Sequence, residues 1–114
     1  MADDVIYVNA VEGAKRVMGN AKLYAKLLFK FKEDQSLQQM GTALSEGDME
    51  KARTAAHTLK GLAANLSLTE LYRQVAEMEI QIKAGSVKEQ QMALVKTVNE
   101  QTLAEIDRVI VQYA

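Results

Sequence analysis

The pentapeptide "HTLKG" at residues 57–61 contains the side chains of this chain that are best suited to chemistry. His57 is the single histidine among 114 residues, Lys60 follows three positions later, and Gly61 interrupts a stretch that otherwise reads as helix. A glycine in the middle of a helix costs about 1 kcal/mol relative to alanine, so its place beside the imidazole needs a reason. A neutral imidazole is a good nucleophile near neutral pH.

Helical periodicity places the histidine on an outward face. At about 100° per residue, the apolar residues around it form a separate stripe that we predict to be buried, made of Ala52, Ala55, Ala56, Leu59, Leu62, Ala63 and Leu66. His57 lies away from this stripe, near the cations Arg53 and Lys60. The small residues Gly61 and Ala64 lie beside it and leave room for a bulky partner. Because the two cations would offset the charge of a phosphoryl group, this pattern favours phosphoryl acceptance by His57.

Periodicity alone also allows a simpler interpretation. A lone surface histidine next to a lysine is typical of an ordinary solvated helix face, and an isolated helical glycine often serves close packing between helices. The spacing within "HTLKG" therefore raises the hypothesis of an acceptor site but does not decide it.

Composition excludes several other kinds of site. The chain has no cysteine, which removes disulfides and thiolate chemistry. A single histidine argues against a zinc or di-iron centre, so we expect no resident metal or cofactor. The formal net charge of -1 gives no footprint for nucleic acid, and no apolar run approaches the ~18 residues of a membrane span. The start "MADDVIYVNA" lacks the apolar core of a signal peptide, so we expect a cytoplasmic protein.

The same composition predicts an all-helical fold. The chain has no proline and is rich in the good helix formers Ala, Leu, Lys, Glu and Gln. We predict one domain over residues 1–114, an antiparallel four-helix bundle with a short additional N-terminal helix. The predicted helices cover residues 9–18, 20–46, 48–66, 68–84 and 87–112. Connections of a few residues between long amphipathic helices make neighbours antiparallel.

Local signals set the helix boundaries. Asn9 and Asp48 are predicted N-caps. Ser67 with Glu70 and Ser86 with Glu89 have the spacing of capping boxes and predict two further helix starts. The apolar phase slips across "KEDQS" at 32–36, which indicates either a bend or two separate helices, and we favour one curved helix.

Four stretches of the chain resemble segments of one protein family. "AAHTLKGLAANLSLTEL" is similar to a core motif written His-x-x-Lys-Gly, with a small residue two positions further on. "LYAKLLFKF" resembles the helix before that motif, "ALSEGDMEKARTAAH" the run-in to it, and "LYRQVAEMEIQIKAG" the helix after it. The family is that of histidine-containing phosphotransfer (HPt) domains. The resemblance covers about residues 10–85, and the last helix fits only by its pattern.

The resemblance implies a phosphorelay intermediate. His57 would take a phosphoryl group from the aspartyl phosphate of a receiver domain and pass it to another receiver. Lys60 would stabilise the phosphate, Gly61 would allow close docking, and the receiver would bring Mg²⁺. The implied partners are response-regulator receiver domains and a sensor or hybrid histidine kinase. We expect a monomeric phosphocarrier without autonomous kinase or phosphatase activity, since the chain has no glycine-rich nucleotide loop.

Two positions depart from the family pattern. Ser67 stands ten residues after the histidine, where the family often has glycine, and the predicted capping box would explain it. Leu62 stands where a smaller residue, often Ser or Ala, is common. The second departure bears on local packing or partner choice and leaves the acceptor unaffected.

Glu79 is a candidate for orienting the imidazole. If the chain turns around Ser67, Glu79 comes level with His57, because the two lie at similar distances on either side of the turn. A carboxylate there would accept a hydrogen bond from Nδ1–H and leave Nε2 as the nucleophile. The family often has an acidic or amide residue nearby. The alternative is an ordinary ion pair of Glu79 with Arg53 or with a lysine.

Other functional classes fit less of the sequence. The dimerisation and phosphoacceptor region of sensor kinases typically has an acidic residue after the histidine and a proline soon after, whereas Thr58 follows here and proline is absent. A phosphoacceptor domain excised from a chemotaxis-type or hybrid kinase shares the motif, although Met1 favours a free-standing protein. A non-phosphorylated helical interaction module predicts that His57→Gln functions normally. An autonomous enzyme lacks any paired carboxylates or nucleophile–base set.

Overall fold

The computed structural model describes residues 5–113, and its regular elements are all α-helices. They are α1 (Ala10–Arg16), α2 (Ala21–Phe31), α3 (Ser36–Ser45), α4 (Met49–Asn65), α5 (Thr69–Ala84) and α6 (Glu89–Tyr113). The predicted all-α fold is confirmed. Met1, on which the expectation of a free-standing protein depends, lies outside the described residues, as do the next three positions of the acidic start.

The helices form a bundle in which α4, which contains His57, packs against α5, which contains Glu79. α4 packs against both α3 and α5, α5 also packs against α6, and α2 packs against α6. α2 and α3 together take the position of the bundle helix predicted for residues 20–46, and α1 packs against α2. Within residues 5–113, no helix combines the length and apolar character that crossing a membrane requires.

The prediction of one curved helix over 20–46 is wrong. α2 ends at Phe31, and α3 begins at Ser36, whose N–H donates to the Asp34 carboxylate at 2.9 Å. The preceding N–H groups of residues 32–34 bond to carbonyls three residues earlier, which tightens the end of α2. The helical phase slips between Phe31 and Met40, yet both residues are buried. Two separate helices allow each of them to face the core, which one continuous helix would not.

The predicted capping box at Ser67 and Glu70 is also wrong. Leu68 is the N-cap of α5 and makes no side-chain cap bond. Ser67 instead ends α4 in the left-handed conformation, with φ of 58°, and the N–H of Leu68 reaches the carbonyl of Ala63 at 2.8 Å. This is the hydrogen-bond pattern of a Schellman motif, where glycine is the usual residue. The departure at Ser67 therefore falls on a position whose backbone favours glycine.

The first turn of α5 is capped by the N-terminal segment. The N–H of Glu70 donates to the Ile6 carbonyl at 3.1 Å, and the N–H of Asn9 donates to the Ser67 carbonyl at 2.9 Å. The Ser67 hydroxyl donates to the Glu12 carboxylate at 2.8 Å. The Ile6 carbonyl thus satisfies the N–H of Glu70, which the predicted capping box would have bonded to the Ser67 side chain.

The second predicted capping box, Ser86 with Glu89, does not start the last helix either. α6 begins at Glu89, so Lys88 occupies the preceding position. The N–H of Lys88 donates to the Gln81 side chain at 3.0 Å, and the N–H of Ser86 donates to the Gln81 carbonyl at 3.0 Å. Gln81 thus organises the turn between α5 and α6. By contrast, Asn9 and Asp48 are N-caps as predicted.

A buried tyrosine anchors the N-terminal helix to the bundle. The Tyr24 side chain is fully buried, and its hydroxyl donates to the Leu66 carbonyl at 2.6 Å. A Cβ built at Gly13 would lie only 2.2 Å from the Tyr24 ring, so α1 approaches α2 at a distance that only glycine allows. This contact holds α1 near the turn between α4 and α5.

Candidate functional site

The imidazole of His57 stands on the outer surface of α4, as its periodicity predicts. Its side chain is 72% exposed. One ring nitrogen, Nδ1, lies 3.2 Å from Oε2 of Glu79 on α5. An ionised carboxylate can only accept hydrogen bonds, so this contact requires the proton on Nδ1. In the neutral ring, Nε2 then has the free lone pair.

Glu79 is a buried carboxylate with three basic neighbours. Its side chain is 5% exposed, and Oε1 receives Nζ of Lys60 at 2.6 Å. Oε2 faces both His57 Nδ1, at 3.2 Å, and Lys83 Nζ, at 3.8 Å. Burial by itself raises the pKa of Glu79, but the hydrogen bond and charge of Lys60, aided by His57 and Lys83, outweigh it and lower that pKa. The carboxylate is therefore ionised at neutral pH.

The geometry of α4 and α5 explains why these two residues meet. Residues 66–68 connect the antiparallel helices, so positions at similar distances from this turn lie side by side. The buried face of α4 is largely alanine, made of Ala52, Ala55, Ala56 and Ala63. Small side chains let neighbouring helices approach closely, which brings the short Glu79 side chain within reach of the ring.

Both interpretations of Glu79 are present in the structure. The contact with His57 Nδ1 exists, and so does an ion pair, with Lys60. Within residues 5–113, the cations that pair with Glu79 are Lys60 and Lys83 and do not include Arg53. The hydrogen bond to Glu79 raises the pKa of Lys60, which keeps its ammonium group charged one turn from the imidazole.

Arg53 lies on the other side of the histidine. It lines a shallow hollow of about 280 Å³ together with His57, Glu79 and Lys83. Side chains on a helix lean toward its N-terminus, so the His57 ring leans toward the turn that carries Arg53. Arg53 therefore lies one turn from His57 on α4, and its role in phosphate binding stays a prediction.

Gly61 is exposed, and the fold does not need it. A Cβ at this position would meet no atom within 4 Å outside its local helix. The interpretation of Gly61 as a packing residue within this chain therefore has no support. Ala64 lies on the same helix and is half-buried. Together they form a low surface beside the imidazole, which is consistent with the predicted docking of a partner.

Leu62 lies at the edge of the core and is only half-buried. It lines a groove of about 730 Å³ between α2 and α4, together with Leu27, Lys30 and Asn65. The departure from the family pattern at Leu62 consequently falls on an accessible groove next to Gly61.

Sequence reasoning missed Lys83 as a member of the site. Its side chain is 54% exposed and approaches the oxygen that also faces the imidazole. The available signal was the spacing of Glu79 and Lys83, four residues apart on one helix, which brings opposite charges together.

The family model for the Hpt domain matches residues 27–110, from α2 to near the end of α6. Since the match covers more than half of the chain, the protein belongs to the Hpt domain family. Hpt domains are phosphocarrier modules of two-component signalling that interact with receiver domains and histidine kinases and are not kinases. Comparisons with curated proteins and with solved structures gave no match.

Proposed function

We propose that this protein is a phosphorelay intermediate in which Nε2 of His57 carries the phosphoryl group. It takes the group from the aspartyl phosphate of a receiver domain and passes it to another receiver. The observation that carries the proposal is the contact of an exposed imidazole with a buried carboxylate, His57 Nδ1 to Glu79 Oε2 at 3.2 Å. This contact leaves the nucleophilic nitrogen free while the rest of the ring is held.

The transfer step balances without any further reactant. The Nε2 lone pair attacks phosphorus, an N–P bond forms, and the P–O bond to the aspartyl group breaks. The electrons of that bond leave with the aspartate carboxylate, while the proton of His57 stays on Nδ1. Glu79 then faces a positively charged ring, which favours the product electrostatically. Phosphohistidine is a high-energy phosphoramidate, so the same step runs in reverse toward a second receiver.

The division of labour follows from what the chain contains. His57 supplies the nucleophile, Lys60 a cation, and the low surface at Gly61 an approach for the partner. Following the family resemblance, we assign Mg²⁺ to the receiver and propose that this chain binds no cofactor of its own. We further propose that it acts in the cytoplasm as a monomer, and that a sensor or hybrid kinase starts the relay.

The test is the intact mass of the purified protein after incubation with a phosphorylated receiver domain and Mg²⁺. Wild type should gain one acid-labile phosphoryl group, and His57→Gln should gain none. Glu79→Ala should slow the gain about ten-fold, because a ring that is free to rotate and change tautomer is less often ready to react. Glu77→Ala, which removes an exposed carboxylate from the same helix, is the matched control and should react like wild type.

Other outcomes would contradict parts of this proposal. A folded wild-type protein that gains no phosphoryl group from any of several receivers would favour a helical interaction module. A Glu79→Ala rate equal to that of wild type would remove Glu79 from the mechanism and leave it as a structural ion pair.

A further inference from the structure

Lys83 is held at the site less firmly than its neighbour Lys60. Its Nζ lies 3.8 Å from Glu79 Oε2, beyond hydrogen-bond distance, and 54% of the side chain is exposed. Lys60, in contrast, makes a 2.6 Å bond to Oε1 and is 26% exposed. The Glu79 carboxylate therefore has one tightly bound cation and one loosely attracted cation.

The loosely held lysine shares an oxygen with the acceptor ring. Oε2 faces both Nδ1 of His57 and Nζ of Lys83, whereas Oε1 is taken by Lys60. A phosphorylated His57 that keeps its Nδ1 proton carries positive charge on the ring, which strengthens the bond from Nδ1 to Oε2. At that oxygen, the cationic ring of His57 then repels Lys83, while the dianionic phosphoryl group nearby attracts it.

The hollow beside the ring gives Lys83 a place to meet that group. The side chains of Arg53, His57 and Lys83 line the same space of about 280 Å³, which opens to solvent. Lysine has a flexible four-carbon stem and a compact ammonium group, so Nζ can shift within the hollow without movement of α5. Arg53 lines the same hollow from α4.

We propose that Lys83 is a second phosphoryl-binding cation. When His57 is phosphorylated, Nζ of Lys83 leaves Glu79 Oε2 and pairs with a phosphoryl oxygen across the hollow, while Lys60 keeps Glu79 ionised and in place. Lys83 thereby stabilises the phosphorylated state more than the free state. This inference rests on the proposed acceptor role of His57.

The experiment measures the equilibrium of phosphoryl transfer between the protein and a receiver domain, from the amounts of both phosphoproteins at several salt concentrations. Lys83→Met should shift the equilibrium away from His57 by about three- to ten-fold, the range for a partly exposed charge-assisted contact. Lys83→Arg should restore most of the shift. Lys88→Met, which removes an exposed lysine just beyond the same helix, is the matched control and should leave the equilibrium unchanged.

Two further readings separate direct binding from an effect through Glu79. Direct binding predicts that the shift caused by Lys83→Met persists in a Glu79→Gln background and shrinks as salt rises, because salt screens exposed charges. A shift that vanishes in that background would show that Lys83 acts only by pairing with Glu79, and would overturn the inference.

Failure of this inference is distinguishable from failure of the proposed function. If wild type is phosphorylated on His57 and Lys83→Met behaves like Lys88→Met, Lys83 has no role and the acceptor remains. If wild type takes no phosphoryl group at all, the proposed function itself is wrong.

Discussion

At the scale of single residues, the two nitrogens of the His57 ring have different surroundings. Nδ1 of His57 faces the Glu79 carboxylate at 3.2 Å, while most of the ring is exposed. The Lys60 ammonium group bonds the other carboxylate oxygen and keeps Glu79 ionised despite burial. A buried charge is tolerated only when it is paired in this way. In the proposed mechanism, the nucleophilic nitrogen thus depends on a carboxylate that is itself buried.

A substitution at Gly61 should change the stability of the fold and the docking of a partner in opposite directions. Gly61→Ala should raise the free energy of unfolding by about 1 kcal/mol, since alanine is the better helix former and a Cβ there meets no atom within 4 Å. The same change should slow phosphoryl transfer from a receiver, because the added methyl group stands beside the reacting ring. Chemical denaturation and the transfer rate measure the two effects.

Gly41→Ala is the control for this prediction. Gly41 lies within α3, and its Cβ would make only an ordinary 3.6 Å contact with Met92. This variant should also be stabilised but should transfer at the wild-type rate. Equal transfer rates for both variants would mean that the partner does not approach closely at Gly61.

At the scale of the helices, the site depends on how α4 is placed between α3 and α5. Asp34 accepts a hydrogen bond from the N–H of Ser36, the first residue of α3, and α3 packs directly against α4. Asp48 in turn caps α4, with its side chain accepting from the N–H of Lys51 at 3.1 Å. Asp48 therefore sets where the helix that contains His57 begins, and Asp34 stabilises the first residue of the helix before it.

Asp34→Ala should lower the free energy of unfolding by about 1 kcal/mol, the usual net contribution of one hydrogen bond. The N–H of Ser36, which Asp34 satisfies at 2.9 Å, would lose its partner. Urea denaturation followed by circular dichroism measures the change. Glu33→Ala, at the exposed neighbouring position, should change the stability by much less. An equal loss in both variants would show that Asp34 contributes only its negative charge.

At the scale of the whole molecule, the charge is unevenly distributed along the chain. Residues 13–32 contain six of the fourteen Lys and Arg residues and none of the fifteen Asp and Glu residues, although the formal net charge is -1. Most of this basic segment is α2, whose Lys30 lines the groove that α2 forms with α4. Glu33 and Asp34 line the same groove, and Leu62 on its other wall is the residue after Gly61 on α4, so we expect this basic segment to lie near the predicted docking surface.

Lys30→Glu should therefore slow association with a phosphorylated receiver about three- to ten-fold at low salt, because a receiver that presents an acyl phosphate is anionic at that face. Stopped-flow binding at increasing salt measures the effect, which should fade as the charges are screened. Lys96→Glu makes the same charge change on α6, in the groove that α6 forms with α3. If both variants are slowed equally, net charge rather than this surface steers the encounter.

Local patterns predicted much of this protein. Helical periodicity identified the buried alanine stripe of α4 and the outward position of His57, and the caps at Asn9 and Asp48 marked helix starts. Counting from the turn between α4 and α5 brought Glu79 level with the ring. These features follow from the 3.6-residue repeat and from hydrogen bonds between residues close in sequence, so the sequence contains them directly.

Tertiary packing decided the rest. The break before α3 required both Phe31 and Met40 to reach one core, and the turn at Ser67 was capped by Ile6 and Glu12, more than fifty residues away in the chain. The sharing of Glu79 Oε2 between the imidazole and Lys83 depends on the distance between α4 and α5. Apart from the pair of Glu79 and Lys83, these contacts join residues that are not neighbours in sequence, and only the packed helices determine which of them meet.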